Sequence, residues 1–188
     1  MIEVKNLTKI YGGGVKAVDN ISFRIEPGKI YGFLGPNGAG KSTTMNIMTG
    51  YLAATSGTVT INGYDIYRDA KKAKSCIGYL PEQPPLYMEM TPSEYLVFVA
   101  NAKRVPFEKS IRQIKEVMTI TGLAGVRNRL IKNLSKGTRE KMQLMLVMSR
   151  RAKLYLLDEP IAGVDPAARD FILRTILTNY NEEGTVLI

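Results

Sequence analysis

Residues 29–43 read KIYGFLGPNGAGKST. The first six residues, 29–34, have the apolar character of a β-strand. GPNGAGKST (35–43) then follows with the spacing G-x-x-x-x-G-K-[ST], and residues 41–50 read as a helix. A strand, a glycine-rich loop and a helix in this order form the context in which that spacing cradles phosphate. Glycines let backbone N–H groups turn inward around phosphate oxygens, and the helix N-terminus adds its positive end. The candidate cradle is Gly35, Pro36, Asn37, Gly38, Ala39 and Gly40, with Lys41, Ser42 and Thr43 closing it. Lys41 is placed to reach β- and γ-phosphates, and Ser42 to ligate Mg²⁺. The competing reading is a plain glycine-rich turn with an incidental lysine.

A second stretch, LYLLDEP (154–160), is an apolar strand ending in two carboxylates. The C-terminal edge of a buried strand is where doubly wound folds bind ligands. Asp158 is the candidate that holds Mg²⁺ through water. Glu159 is the candidate base that polarises a water attacking the γ-phosphate. A helix cap or turn before Pro160 is the alternative use of these acids. Each motif supports the other, because nucleotide chemistry needs both.

Around these anchors, 2–4, 21–26, 57–61 and 77–80 read as strands. Pro27-Gly28 and Asn62-Gly63 supply turns, the second a hairpin signal. Thr91-Pro92-Ser93-Glu94 is a capping box with proline at the first helical position, opening a helix to about Arg104. Helices continue over 108–121 and 136–151, Asp165-Pro166 starts another, and 185–188 is a last strand. Mixed β, then α, then β-α-β predicts an α/β core interrupted by a helical insertion over 84–153.

The chain has 188 residues, 45% hydrophobic and 23% charged, which fits one ordinary globular domain or one core with an inserted subdomain. No apolar run approaches the ~20 residues of a membrane span, and MIEVKNLTKIYGG has no apolar leader region, so no signal peptide is expected. Cys76 stands alone, which excludes a disulfide within the chain and a multi-cysteine metal cluster. There is no histidine, so proton transfer falls to carboxylates, lysines, tyrosines or water. The net charge of +9 lies wholly in residues 84–153, which hold 14 Lys and Arg against 5 Asp and Glu. Such a patch suits nucleic acid, anionic lipid or an acidic partner as well as a plain solvated surface.

LSKGT (134–138), a helix's length before the acidic strand, narrows the reading. With the phosphate loop and the acidic pair it resembles the nucleotide-binding domain of an ATP-binding cassette (ABC) ATPase, along the whole chain. The resemblance implies an α/β, RecA-like P-loop NTPase core with an N-terminal antiparallel β subdomain and an inserted α-helical subdomain. It implies one domain over 1–188, with the core in 1–83 and 154–188 and the helical subdomain in 84–153. It further implies ATP and Mg²⁺ as ligands, and a second ABC subunit, identical or not, with which two ATPs are sandwiched head to tail. Ser135 and Gly137 would then contact the γ-phosphate of the partner's ATP. Asp165, in AGVD, would cross the dimer interface, and could also cap the helix at Pro166. Tyr11 would stack on adenine. Gln83, in YLPEQ, would reach Mg²⁺ and the attacking water.

Lys136 and Thr138 depart from the usual LSGGQ signature, and Lys136 is expected to point to solvent rather than to the partner's phosphates. LSKG resembles the signature of bacterial exporter cassettes whose membrane subunit is a separate chain. The family's switch histidine and last helices are missing, which the resemblance reads as a C-terminally truncated cassette. The implied function is the ATPase subunit of a membrane transporter, with export favoured, docked on an integral membrane permease at the cytoplasmic face of the cell membrane. A soluble ABC-type ATPase of nucleic-acid or translation work is the alternative. Only 94 positions separate Lys41 from Ser135, too few for the long coiled coils of chromosome-maintenance relatives, and no nucleic-acid partner is expected. A nucleotide-gated module without turnover is a third class, opposed by the presence of Glu159.

Overall fold

The computed structural model describes residues 1–83, 85–102, 106–149, 152–179 and 184–188. Backbone contacts divide them into two units. The first is Met1–Glu82, Arg151–Glu159 and Asn179–Ile188; the second is Gln83–Arg150 and Pro160–Thr178.

The first unit contains two four-stranded sheets. The antiparallel sheet has β1 (Ile2–Ile10) between β2 (Lys16–Ile25) and β4 (Ser56–Ile61), with β5 (Tyr64–Asp65) at the edge. Ile2, Val4 and Leu7 of β1 are buried, and they face Val59 and Ile61 of β4 in one apolar cluster. The Asn62-Gly63 turn has φ of 53° and 83°, which places both residues in the left-handed region. A two-residue hairpin turn of this kind needs that geometry, and Asn-Gly supplies it at low steric cost. The pairings Ile61↔Tyr64 and Thr60↔Asp65 follow from it.

The parallel sheet has the order β3 (Ile30–Tyr31), β8 (Thr185–Leu187), β7 (Leu154–Leu157), β6 (Ile77–Leu80). All four residues of β7 and all three of β8 are buried. Continuous apolar runs mark strands covered on both faces. Of the strand expected over 29–34, Ile30–Tyr31 pair in register with β8, and the ladder reaches on to Phe33, whose N–H donates to Ile188 O. Helix α1 (Lys41–Met48) follows that loop and buries Met45, Ile47 and Met48. Helix α2 (Ala70–Ser75) was not expected from the sequence.

The second unit is helical. Helix α3 (Pro92–Ala102) starts at the anticipated capping box: Thr91 N–H donates to Glu94 Oε2 at 2.8 Å, and Glu94 N–H donates to Thr91 Oγ1 at 3.3 Å. The expected end of this helix near Arg104 lies outside the described residues. Helices α4 (Phe107–Ile120) and α5 (Lys136–Met148) follow. With Pro92–Ala102 they enclose a second core that includes Leu96, Val117, Leu123, Ile131, Met142 and Met145. Helix α6 (Pro166–Asn179) was expected within the nucleotide-binding core, whereas by backbone contact residues 160–178 group with the helical insertion.

Candidate functional site

In the first unit the glycine-rich loop, the start of α1 and the end of β7 line one cleft of about 380 Å³. Its walls include Asn37, Gly38, Gly40, Lys41, Ser42, Thr43, Glu82 and Glu159. Gly38 and Gly40 have φ of 81° and 88°. At Gly40 a Cβ would also collide with the Ala17 carbonyl oxygen, so both conformation and space demand glycine there. The turn is closed by Ala39 N–H donating to Pro36 O at 3.2 Å.

Lys41 folds back over this turn. Its ammonium donates to Gly35 O at 2.8 Å and to Pro36 O at 3.2 Å, and stands 3.9 Å from Glu159 Oε1. The Lys41 side chain is mostly buried, and that of Glu159 is 39% exposed. A long cation held against neutral carbonyls beside one carboxylate is poised for a stronger anionic partner.

Asp158 closes β7 and is 3% exposed. Burial pushes its carboxyl above the usual carboxylate range; the Ser42 hydroxyl and the Lys41 charge oppose this, and the Glu159 charge adds to it. Glu159 has φ of 48°, a left-handed backbone that is uncommon for a residue with a side chain. Strain of this kind clusters at functional sites, where surrounding structure holds it. Next to Asp158, Tyr79 donates to Asn46 Oδ1 at 3.0 Å, and burial followed by the Asp158 charge pushes its phenol up to about 12.

These residues fit the ligands that the resemblance implies. The left-handed glycines, the Lys41 ammonium and the N-terminus of α1 form an anion cradle. The Ser42 hydroxyl and the buried Asp158 carboxyl beside it are hard oxygen donors of the sort Mg²⁺ takes.

Tyr11 follows β1 and is 41% exposed. Its hydroxyl stands 3.4 Å from Thr43 Oγ1, and Lys9 Nζ lies 5.3 Å from its ring centroid. One face of an aromatic ring at the edge of the cradle is thus backed by a cation. Glu82 lines the cleft but was not singled out in the sequence; its only signal was its place beside Gln83.

The remaining predicted residues belong to the second unit. Gln83 is its first residue and is exposed. Ser135 is the N-cap of α5: its hydroxyl accepts from Thr138 N–H at 3.2 Å and stands 2.8 Å from the Thr138 hydroxyl. Gly137 is buried, and a Cβ there would stand 2.6 Å from Ala168 Cβ and 2.7 Å from Asp165 Oδ2. Asp165 caps α6 by accepting from Ala168 N–H at 2.9 Å. Lys136 is exposed, as expected, and its ammonium also donates to the Ala162 carbonyl at 2.6 Å.

Among known proteins, the family described as ABC transporter matches residues 18–162. The linearmycin resistance ATP-binding protein LnrL of Bacillus subtilis is 34% identical over 188 residues, covering all of this chain and 60% of that protein. The human retinal-specific phospholipid-transporting ATPase ABCA4 is 36% identical over 186 residues, 98% of this chain and 8% of that protein. The chain therefore spans less than two thirds of these relatives' lengths. A solved ATP-binding subunit of an ABC transporter superposes with a TM-score of 0.84 at 28% identity, covering 100% of this chain and 78% of the other. The cbiO1 protein of Clostridium perfringens, part of the ABC transporter complex cbiONQ, shares the fold with a TM-score of 0.80 at 24% identity over 100% of this chain and 76% of that one.

Proposed function

This chain belongs to the ABC transporter family as an ATP-binding domain, and from that premise we propose that it hydrolyses Mg-ATP in a head-to-tail dimer to drive transport by a separate membrane permease. The observation that carries the reading is the placement of Lys41, held in the glycine loop at 2.8 Å from Gly35 O and 3.9 Å from Glu159. A γ-phosphate entering the loop gives the ammonium a full negative charge in exchange for two carbonyls. Ser42 and Asp158 would hold Mg²⁺, and Gln83 is the further ligand that the family resemblance implies. When bound, the ion neutralises charge on the phosphates.

Glu159 then acts as general base. It takes a proton from the attacking water while the bond between the γ-phosphorus and the bridging oxygen breaks and ADP leaves. Tyr11 stacks on adenine. The N-terminal turn of α5, with Ser135 and Gly137, binds the γ-phosphate held by the second subunit, and Asp165 crosses to that subunit.

Coupling to a permease is supported by the helical unit's surface. Tyr87, Met88, Val97 and Phe98 are each 41–54% exposed, and the Tyr87 and Phe98 rings meet edge to face at 5.0 Å. Exposed large apolar groups in a cluster mark interaction surfaces. The basic excess of 84–153 suits anionic headgroups at a cytoplasmic membrane face, where this subunit is peripheral. No helix among the described residues is long and apolar enough to cross a membrane. Export is the direction we favour, since LnrL is described as a linearmycin resistance protein.

The test is equilibrium titration with Mg-ATP. Lys41→Ala loses a charge-assisted contact worth about 1.5–3 kcal/mol, a weakening of roughly 10- to 100-fold. Equal affinity in parent and variant rejects the site.

A further inference from the structure

Lys136 is the first helical residue of α5. A cation there opposes the positive end of the helix dipole. Position 136 therefore breaks a local rule, and such breaks concentrate where a residue has another task. The task is visible in the contact that Lys136 makes. Its ammonium donates to Ala162 O, 26 residues on, at 2.6 Å. The loop it reaches is shaped to receive it. Gly163 has φ of 65°, and a Cβ there would lie 2.8 Å from Lys136 Nζ. A short step further, Gly137 packs so close to Asp165 and Ala168 that no Cβ fits between them. Asp165 itself is fixed by accepting from Ala168 N–H.

We propose that Lys136 is a positioning residue that ties the Ser135–Thr138 turn to the 160–165 loop, so that the two loops meet a second subunit as one rigid surface. The proposal rests on the head-to-tail reading above, in which Ser135, Gly137 and Asp165 all face the partner. In this reading Lys136 acts through the loops and not on a nucleotide. Its head group is spent on a neutral carbonyl of its own chain, which keeps a flexible cation from competing for the partner's phosphates. The stem of Lys136 and the absence of side chains at 137 and 163 then set the spacing between the two loops.

The test uses the whole protein in a Glu159→Gln background, with Lys136→Met and Lys136→Arg added separately. Met keeps the stem and removes the donor; Arg keeps a donor. The Ala162 carbonyl is followed by its ¹³C signal, with Ala39 and Ala124, which also precede glycines, as internal controls. We expect the Ala162 signal alone to shift in Met and to stay near its parent position in Arg. ATP-driven association, followed by sedimentation, should weaken about tenfold in Met and recover in Arg. ATP affinity of the dilute monomer should be the same in all three. An unmoved Ala162 signal overturns the tie. A moved signal with unchanged association overturns the positioning role, and weaker monomer affinity in Met means that Lys136 serves nucleotide directly. A parent that does not associate with ATP overturns the head-to-tail reading, and the positioning role with it, while the carbonyl signal still decides whether the tie exists.

Discussion

At the scale of single residues, the cleft combines groups that favour folding with groups that oppose it. Asp158 is the clearest of the second kind. It is 3% exposed, and burial raises its carboxyl pKa against the help of Ser42 and Lys41. A raised carboxyl means that the unfolded chain carries the charge more easily than the folded one. The group therefore opposes folding above its folded pKa, and the penalty is relieved as pH falls through that value. Asp158→Asn keeps the shape and an acceptor for Ser42 but removes the charge. At pH 7 without nucleotide the variant should melt higher, by about 2–4 °C if the change is near 1 kcal/mol in a domain of this size. The same variant should lose most of the gain in ATP affinity that Mg²⁺ gives the parent, as expected when stability and function trade at one position. Thermal melts paired with titrations with and without Mg²⁺ measure both halves. A lower melting point means that the carboxylate stabilises the fold, and equal Mg²⁺ dependence removes Asp158 from the metal site.

At the scale of elements, α3 offers a prediction whose sign follows from its cap. Two bonds from Thr91 hold the Glu94 carboxyl below its usual range. A depressed carboxyl adds stability above its unfolded pKa, and that contribution is lost as pH falls through the folded pKa. Glu94→Gln should therefore unfold more easily than the parent at pH 7, and the two denaturation midpoints should converge at acid pH. A gap of constant size across that range means that charge at Glu94 is irrelevant to the cap. Thr91→Ala removes the other half of the box and should cost about 1 kcal/mol. This cap was legible because its partners lie three positions apart. So were β6, which spans the expected 77–80, and β7, whose apolar residues LYLL stop at the acidic pair. Residues 32–34 read as strand for the same apolar reason; Phe33 N–H still donates to Ile188 O, whereas Leu34, 92% exposed, leads into the glycine loop. Helix α2 was missed because AKKAKS has no apolar period; only Ala73 is buried there. The phosphate loop and the acidic pair were legible as local patterns. The contact of Lys136 with Ala162 was not, since it depends on how the 160–165 loop folds back onto the start of α5.

At the scale of the whole molecule, the chain carries one phosphate cradle in its first unit and one capped, glycine-tight turn at the N-terminus of α5 in its second. If both served the same nucleotide, a lesion in either would disable its own subunit and no partner could repair it. If the turn serves a second subunit's nucleotide, lesions sort differently. A dimer of one Lys41→Ala subunit and one Ser135→Ala subunit has two composite sites. One pairs the damaged cradle with the damaged turn, and the other pairs two intact parts. Isologous two-fold assembly makes this sorting automatic. With equal amounts and random exchange, half the dimers are mixed and half of their sites are intact, so the mixture should recover about a quarter of parent activity where each variant alone has almost none. Ser135→Ala also removes the cap of α5, at a cost of about 1 kcal/mol. Melting curves must therefore show that variant folded before it is mixed. Steady-state phosphate release from each variant and from the mixture, with mixed dimers quantified by differently tagged subunits, decides the matter. Recovery in the mixture requires that Ser135 act across the dimer. Mixed dimers that form and stay inactive reject independent composite sites, and activity retained by Ser135→Ala alone removes the serine from the phosphate site.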